Sequence, residues 1–210
     1  MNQALRPAKQ ERGKKTQDRI LQATKKLLAS KSFESISVRQ IVRQAKTSIG
    51  SFYARFQDKH ALLSVLYAEY EQQLSRRVET LRRAVDRADS LEETAQLIVS
   101  HFVDRYGQIP NLNRAIFEFA TRHPESEELE VLSQKRRQQY DFVLDALSKY
   151  DSEITHENPK RAAELAFYFT VVACRNQLLY PHAPQARTLK VSKKELKAEL
   201  TRLMTGYLCN

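Results

Sequence analysis

The chain has 210 residues, 41% of them hydrophobic, enough to bury one mid-sized core or two small ones and too apolar for a disordered polymer. Its 4 Gly and 6 Pro disfavour a many-turned β-sandwich or barrel, and its 2 Cys, Cys174 and Cys209, are too few for a disulfide scaffold or a Cys-rich zinc site, which favours a reducing cytoplasm. The net charge of +10 is segregated: residues 1–60 hold 14 Lys/Arg against 4 Asp/Glu and residues 61–210 hold 21 of each, so the N-terminal segment asks for a polyanion, nucleic acid or an anionic membrane surface.

In chain order, the opening MNQALRPAKQERGKK is basic without an apolar stretch, so no secretory signal is expected and residues 1–15 read as a flexible basic arm. Ile20, Leu21, Thr24, Leu27 and Leu28 predict a helix from Thr16, its N-cap, to Ser30. Ser37 and Gln40 have capping-box spacing ahead of the apolar stripe Val38, Ile41, Val42 and Ala45. Ser48 caps a short helix carrying Ile49, Phe52 and Phe56. Asp58 caps a long one, with Leu63, Leu66, Tyr67, Tyr70, Leu74, Val78, Leu81 and Val85 at steps of three and four. Ser90 and Glu93 open a further helix that Gly107 is expected to stop after Tyr106. A short helix over 111–121 follows, then one with Pro124 in its first turn beside Glu125, Glu127 and Glu128, running to about Lys149. Asn158-Pro159 starts a helix that ends at about Tyr180, before Pro181 and Pro184; Ser192 and Glu195 open the last, to about Tyr207. The longest nearly apolar run, Leu165–Cys174, falls far short of the ~20 residues a membrane helix needs. The expected fold is all-α with about nine helices: a compact basic unit over 16–57, then a connecting helix and a neutral bundle over 58–210.

Two short helices joined by Ala45-Lys46-Thr47 inside the basic unit suggest a helix-turn-helix. The stretch from Arg19-Ile20-Leu21-Gln22-Ala23 through Leu62, above all AKTSIGSFYARFQDKHAL over 45–62, resembles the tetracycline-repressor (TetR) family of bacterial transcription factors. The resemblance covers about residues 12–65 at motif level. Ser48, Ile49, Gly50 and Ser51 begin what looks like the recognition helix, where small side chains let a helix approach base edges and phosphates. Phe52 and Phe56 are spaced to face inward against Ile20, Leu27 and Ile41. The resemblance makes Tyr53 and Lys59 phosphate contacts and puts Arg39 and Arg55 within reach of a base or phosphate. Lys46 and Thr47, in the turn, are counted with the DNA-facing residues. Arg12, Lys14 and Lys15 would form an arm toward the backbone or minor groove. Three positions depart from the family pattern. Lys46 stands at a usual Gly, where left-handed geometry penalises a β-carbon. Ser32 replaces another common Gly, and Ala54 a frequent aromatic, so base preference cannot be carried over from relatives.

Catalytic constellations are missing: there is no Gly-x-Ser-x-Gly, no His-Glu-x-x-His and no phosphate loop. His101 with Asp104 reads as a polar helix face rather than a metal pair, and Cys174 as a small core hydrophobe. No enzymatic activity, cofactor or metal is expected. The TetR resemblance implies that the helices near 159–180 and 192–207 form a four-helix interface with a second subunit, through Ala162, Leu165, Ala166, Phe169, Val172 and Ala173 on one and Leu196, Leu200 and Leu203 on the other. It also implies an effector cavity. Its candidate walls are Phe102, Tyr106, Phe117, Tyr140 and Phe167 or Tyr168, with Gln96, His101, Glu118 or Asn176 as polar anchors; Glu118 hints at a cationic ligand.

The expected protein is a cytoplasmic, homodimeric repressor of a palindromic operator, released by a small molecule and with no membrane partner. Two alternatives stay open: a dimeric DNA-binding regulator without a small-molecule inducer, and a basic helical adaptor on an anionic membrane.

Overall fold

The computed structural model describes residues 5–122 and 127–209. Among these there is no strand, and ten helices occur: α1 Leu5–Leu28, α2 Val38–Gln44, α3 Ile49–Tyr53, α4 Ala61–Val85, α5 Leu91–Gln108, α6 Pro110–Arg122, α7 Glu127–Ser148, α8 Pro159–Leu179, α9 Pro184–Thr188 and α10 Lys193–Cys209. The all-α expectation holds. The helices gather into two compact units, residues 1–71 with 111–119 and residues 72–110 with 120–210; α4 contributes to both, and most of α6 belongs to the first.

In the first unit Ile20 and Leu21 of α1, Ile41 of α2, Phe52 of α3 and Leu62 and Leu66 of α4 are buried, as are Phe33 and Ile36 of the loop after α1. Thr24, also buried, donates its hydroxyl to the Ile20 carbonyl at 2.8 Å, so the core carries no polar cost there. At the end of α1 the Leu28 carbonyl accepts from Asn111 Nδ2 of α6 at 2.8 Å, a side-chain cap for a helix C-terminus. Lys25 of α1 pairs with Glu69 of α4.

α1 starts well before Thr16, so residues 5–15 extend a helix instead of forming an arm. Thr16 does not cap; its hydroxyl donates to the Arg12 carbonyl one turn back, at 3.0 Å. Pro7 falls in the first turn, where its missing N–H costs nothing, and a Glu11–Lys15 pair at 2.8 Å supports the turn that Gly13 weakens.

In the second unit α5 packs against α7, α8 and α10. Leu91, Ala95, Ile98, Val99, Phe102 and Val103 of α5 share a core with Phe142, Val143, Ala146 and Leu147 of α7. Ala162, Ala166, Phe167, Val171 and Cys174 of α8 and Leu196, Leu200, Met204 and Leu208 of α10 complete it. Burial pushes the Cys174 thiol up to about 12, so it is a packing group and not a nucleophile. Ser90, Asn158 and Ser192 accept from the backbone N–H three residues on, at 3.2, 3.0 and 3.1 Å. Glu93 reaches one residue further than a capping box requires and accepts from Asp89 N at 3.1 Å. Across helices Lys197 pairs with Asp104, and Lys149 with Asp86, each at 2.8 Å; the second pair lowers the Asp86 carboxyl below its ordinary value.

Two helix boundaries in this unit need correcting. Gly107 does not stop α5: it lies inside the helix, takes no left-handed geometry, and its carbonyl accepts from Lys193 Nζ at 3.0 Å. The helix ends at Gln108, one residue beyond it, because Pro110 cannot continue the α5 ladder. The tenth helix is α9, one turn opened by Pro184, which had been read only as a terminator although proline suits a first helical position. The expected Pro124 start lies outside the described residues, and α7 is described from Glu127.

Candidate nucleic-acid interface

The helix-turn-helix is assembled by local hydrogen bonds. Ser37 Oγ accepts from Gln40 N at 3.2 Å while Gln40 Oε1 accepts from Ser37 N at 2.8 Å, so the capping box closes and starts α2. At the other end Thr47 N donates to the Val42 carbonyl at 3.0 Å and Lys46 N to the Arg43 carbonyl at 3.2 Å. That pair is a Schellman closure with Lys46 at the left-handed position, and its φ of 51° is the one positive value at a non-glycine among the described residues. The departure of Lys46 from the family glycine is therefore a real conformational cost. Ser48 then caps α3 by accepting from Ser51 N at 3.1 Å.

α3 has two faces. Phe52 is wholly buried and rests against Phe56 with ring centroids 5.4 Å apart. On the opposite side Ile49 is 44% and Tyr53 54% exposed, one turn apart. Arg39, Lys46, Ser48 and Gly50 are exposed, and Thr47 and Ser51 half-buried.

Two basic residues expected at DNA are occupied inside the protein. Lys59 Nζ donates to the carbonyls of Phe33, Ile36 and Glu34 at 3.1, 3.2 and 3.4 Å and lies 4.5 Å from the Phe33 ring centre. An ammonium has three N–H groups, and all three are engaged. Arg55 Nε donates to the Gly13 carbonyl at 3.0 Å and Nη1 to Ser51 O at 2.7 Å, which clasps α1 to the end of α3. Arg12, Lys14 and Lys15 are exposed on the extended part of α1.

Sequence reasoning missed the part of α6 in this unit. Besides Asn111, Arg114 Nη2 donates to Asn111 Oδ1 at 3.0 Å, and His60 stacks on Phe119 at 5.9 Å. Contacts 83 residues apart in sequence leave no local signal.

The expected effector residues of the second unit range from buried to exposed. Phe102, Tyr140 and Phe167 come together edge to face, at 5.1 and 4.7 Å, as closed core. Tyr106 and Asn176 are half-buried, Gln96 and Tyr168 exposed, and Phe117 and Glu118 belong to the first unit. His101 lines a cleft of ≈ 300 Å³, with Arg77, Thr80, Leu81 and Ala84 of α4 and Leu97, Asp104 and Arg105 of α5. These are two stripes at steps of three and four, a signal that was present in the sequence. Burial, then the neighbouring Arg105 and Arg77 cations, hold His101 down at about 4 against the pull of Asp104. Arg105, 8% exposed, donates to Gln139 Oε1 at 2.8 Å.

Of the expected interface residues, Ala162, Ala166, Leu196 and Leu200 are buried in the core of their own unit, and Leu165, Val172 and Ala173 are half-buried. Phe169 and Leu203 are 56% and 66% exposed. Both helices carry apolar residues on two sides, and spacing does not say which side turns inward.

A charged N-terminal unit with a capped turn and an exposed short helix over a buried aromatic defines a helix-turn-helix DNA-binding regulator. Residues 20–66 match the family profile for bacterial regulatory proteins of the tetR family, so this segment is similar to that family's DNA-binding domain. No curated protein matches it in sequence. Among solved structures it is similar to a TetR-family transcriptional regulator from Bordetella parapertussis 12822, at 17% identity, 90% of this chain, 93% of that one and a TM-score of 0.64. FadR from Bacillus subtilis, in complex with stearoyl-CoA, matches at 17% identity over 90% and 97% of the two chains, with a TM-score of 0.62. The TetR family regulator CifR, in complex with a 26 bp double-strand operator DNA, matches at 19% identity over 89% and 94%, with a TM-score of 0.57. At these identities the likeness is one of fold. No helix among the described residues is long and apolar enough to cross a membrane.

Proposed function

We propose that the protein is a cytoplasmic, homodimeric repressor that holds a palindromic operator and releases it when a small molecule binds the second unit. The observation that carries this reading is the outward face of α3, where Ile49 and Tyr53 stand exposed over fully buried Phe52, within the segment that holds the whole charge excess. Tyr53 contacts phosphate; Arg39, Lys46, Thr47, Ser48, Ile49, Gly50 and Ser51 face the groove or its backbone. The operator complex of CifR and the stearoyl-CoA complex of FadR support DNA and a small molecule as the two classes of partner.

Dimerisation is assigned to the apolar groove of ≈ 280 Å³ between α8 and α10, lined by Ala166, Phe169, Thr170, Ala173, Leu200, Leu203, Met204 and Tyr207. Phe169 and Leu203, too exposed to serve the monomer, are its anchors, and a two-fold axis through this face pairs the same patch on both copies. The effector is assigned to the α4–α5 cleft at His101. α4, shared by both units, is the coupling element, and a ligand shifts operator affinity only by as much as it prefers the released state.

The test is selection of genomic fragments by the full-length protein, followed by footprinting. The expected footprint is an inverted repeat with half-sites ~10 bp or more apart. Leu203→Glu is expected to yield a monomer by sedimentation and to bind the selected site far more weakly. A dimer with undiminished affinity would refute the interface, and a direct repeat or a single half-site would refute the symmetry.

A further inference from the structure

We infer that Ile49 is the base-reading residue of α3 and that it reads the C5 methyl group of thymine, with Gly50 beside it permitting the close approach. The inference rests on the reading of α3 as the helix that enters the major groove. α3 is Ile-Gly-Ser-Phe-Tyr, so it carries no Arg, Lys, Asn or Gln, the side chains that make bidentate hydrogen bonds to guanine or adenine. The nearest cation beyond its end, Arg55, is tied to the Gly13 and Ser51 carbonyls. Ser48 and Ser51 bond to each other, Oγ to Oγ at 3.0 Å, and Ser48 also accepts from Ser51 N. Phe52 is buried. What α3 presents outward is therefore chiefly apolar: the Ile49 side chain, with the Tyr53 ring one turn along.

Thymine offers the one apolar group on the major-groove edges of the bases. A branched aliphatic side chain left open to water on that face is matched by nothing else the groove contains. Gly50 supplies an independent observation. It is not at a positive φ, and a β-carbon there would meet only Ser48 Oγ, at an ordinary 3.9 Å. Neither backbone geometry nor packing within the protein requires glycine, which after proline is the poorest helix former. An approaching surface outside the protein gives the missing reason.

The experiment uses full-length protein and the duplex it selects from a randomised library. Each thymine of the selected half-site is replaced in turn by deoxyuridine, which deletes only the methyl. Wild type is expected to lose about fourfold in affinity at one or two thymines per half-site, the worth of one buried methyl. Ile49→Ala is expected to show that loss on the unmodified duplex and no further loss on the modified ones. Gly50→Ala is expected to melt at a higher temperature when free, yet to bind the duplex roughly tenfold or more weakly. Wild type indifferent to every deoxyuridine, or Ile49→Ala as sensitive as wild type, overturns the methyl reading. Gly50→Ala binding as tightly as wild type overturns the close approach. If wild type selects no duplex at all, the DNA-binding reading itself falls, which is a separate and earlier failure.

Discussion

The two units spend their polar groups differently. In the first, side chains bond mostly to backbone: Ser37, Ser48, Arg55, Lys59 and Asn111 all fasten turns and helix ends. In the second, longer-range bonds also join side chains of neighbouring helices, as in Lys197 with Asp104 and Arg105 with Gln139, beside the backbone bonds of Lys193 to Gly107 and Tyr150 to Ala88. Backbone fastening gives a small rigid body whose outward residues have no internal task, which is what a reading head needs. Helix-to-helix bonds leave room for helices to shift, which is what a regulated bundle needs. Each unit can be broken on its own terms.

The largest expected effect is on the core of the reading head. Phe52→Ala removes a fully buried ring packed on buried Phe56 in a small core and should cost ~3–5 kcal/mol. Tyr53→Ala, its exposed neighbour, should leave the melting temperature within a degree or two and abolish operator binding instead. Melting curves and DNA titrations of the pair check this. Equal melting temperatures for the two variants would show that Phe52 does not anchor the unit.

Next is a test in the second unit. A His101 held at about 4 when folded is protonated near 6.5 in the unfolded chain. The unfolded state binds more protons in that window, so stability is complete above about pH 6.5 and declines as pH falls toward 4. The loss should reach up to ~3 kcal/mol, and His101→Gln should flatten the curve. Urea titrations at pH 7 and pH 4.5 measure it. A wild-type slope identical to that of His101→Gln would remove His101 as the cause.

The same division explains what was legible in the sequence. The capping boxes at Ser37 and Ser192 and the inward Phe52 depend on residues a few positions apart and stand as the spacing implied, and the strained turn at Lys46 stands as the family resemblance implied. The Asn111–Leu28 bond depends on three-dimensional packing and could not be read. The effector set was hard to read for a related reason: Phe102, Tyr140 and Phe167 are aromatics at helical spacing, and filling a core and lining a cavity leave the same pattern. On α8 and α10 the apolar residues were seen, but not which of them face inward.

Lys59 comes third. As a clasp on three carbonyls, its loss should matter to folding before it matters to DNA. Lys59→Met keeps an apolar stem over Phe33, removes the charge, and should cost ~1–3 kcal/mol in stability. The slope of log affinity against log salt should stay unchanged, since no phosphate is given up. A slope lower by ~1 with an unaltered melting temperature would restore Lys59 as a phosphate ligand.

The smallest effect separates geometry from charge at Lys46. Its φ of 51° puts a β-carbon in the left-handed region, which costs a non-glycine residue ~1–2 kcal/mol. Glycine relieves that cost but gives back part of it through the greater freedom of the unfolded chain, so Lys46→Gly should stabilise by ~0.5–1 kcal/mol. For a chain of this length that is a rise of ~1–4 °C in melting temperature. Lys46→Ala keeps the β-carbon and should leave the melting temperature where it is. Both variants lose the same exposed cation. If that cation offsets the strain by meeting a phosphate, both should lower the salt slope by ~1 and weaken operator and non-specific DNA alike. Equal melting temperatures for the glycine and alanine variants would show that the turn bears no strain. An unchanged salt slope in both would show that the strain is retained without any return from DNA.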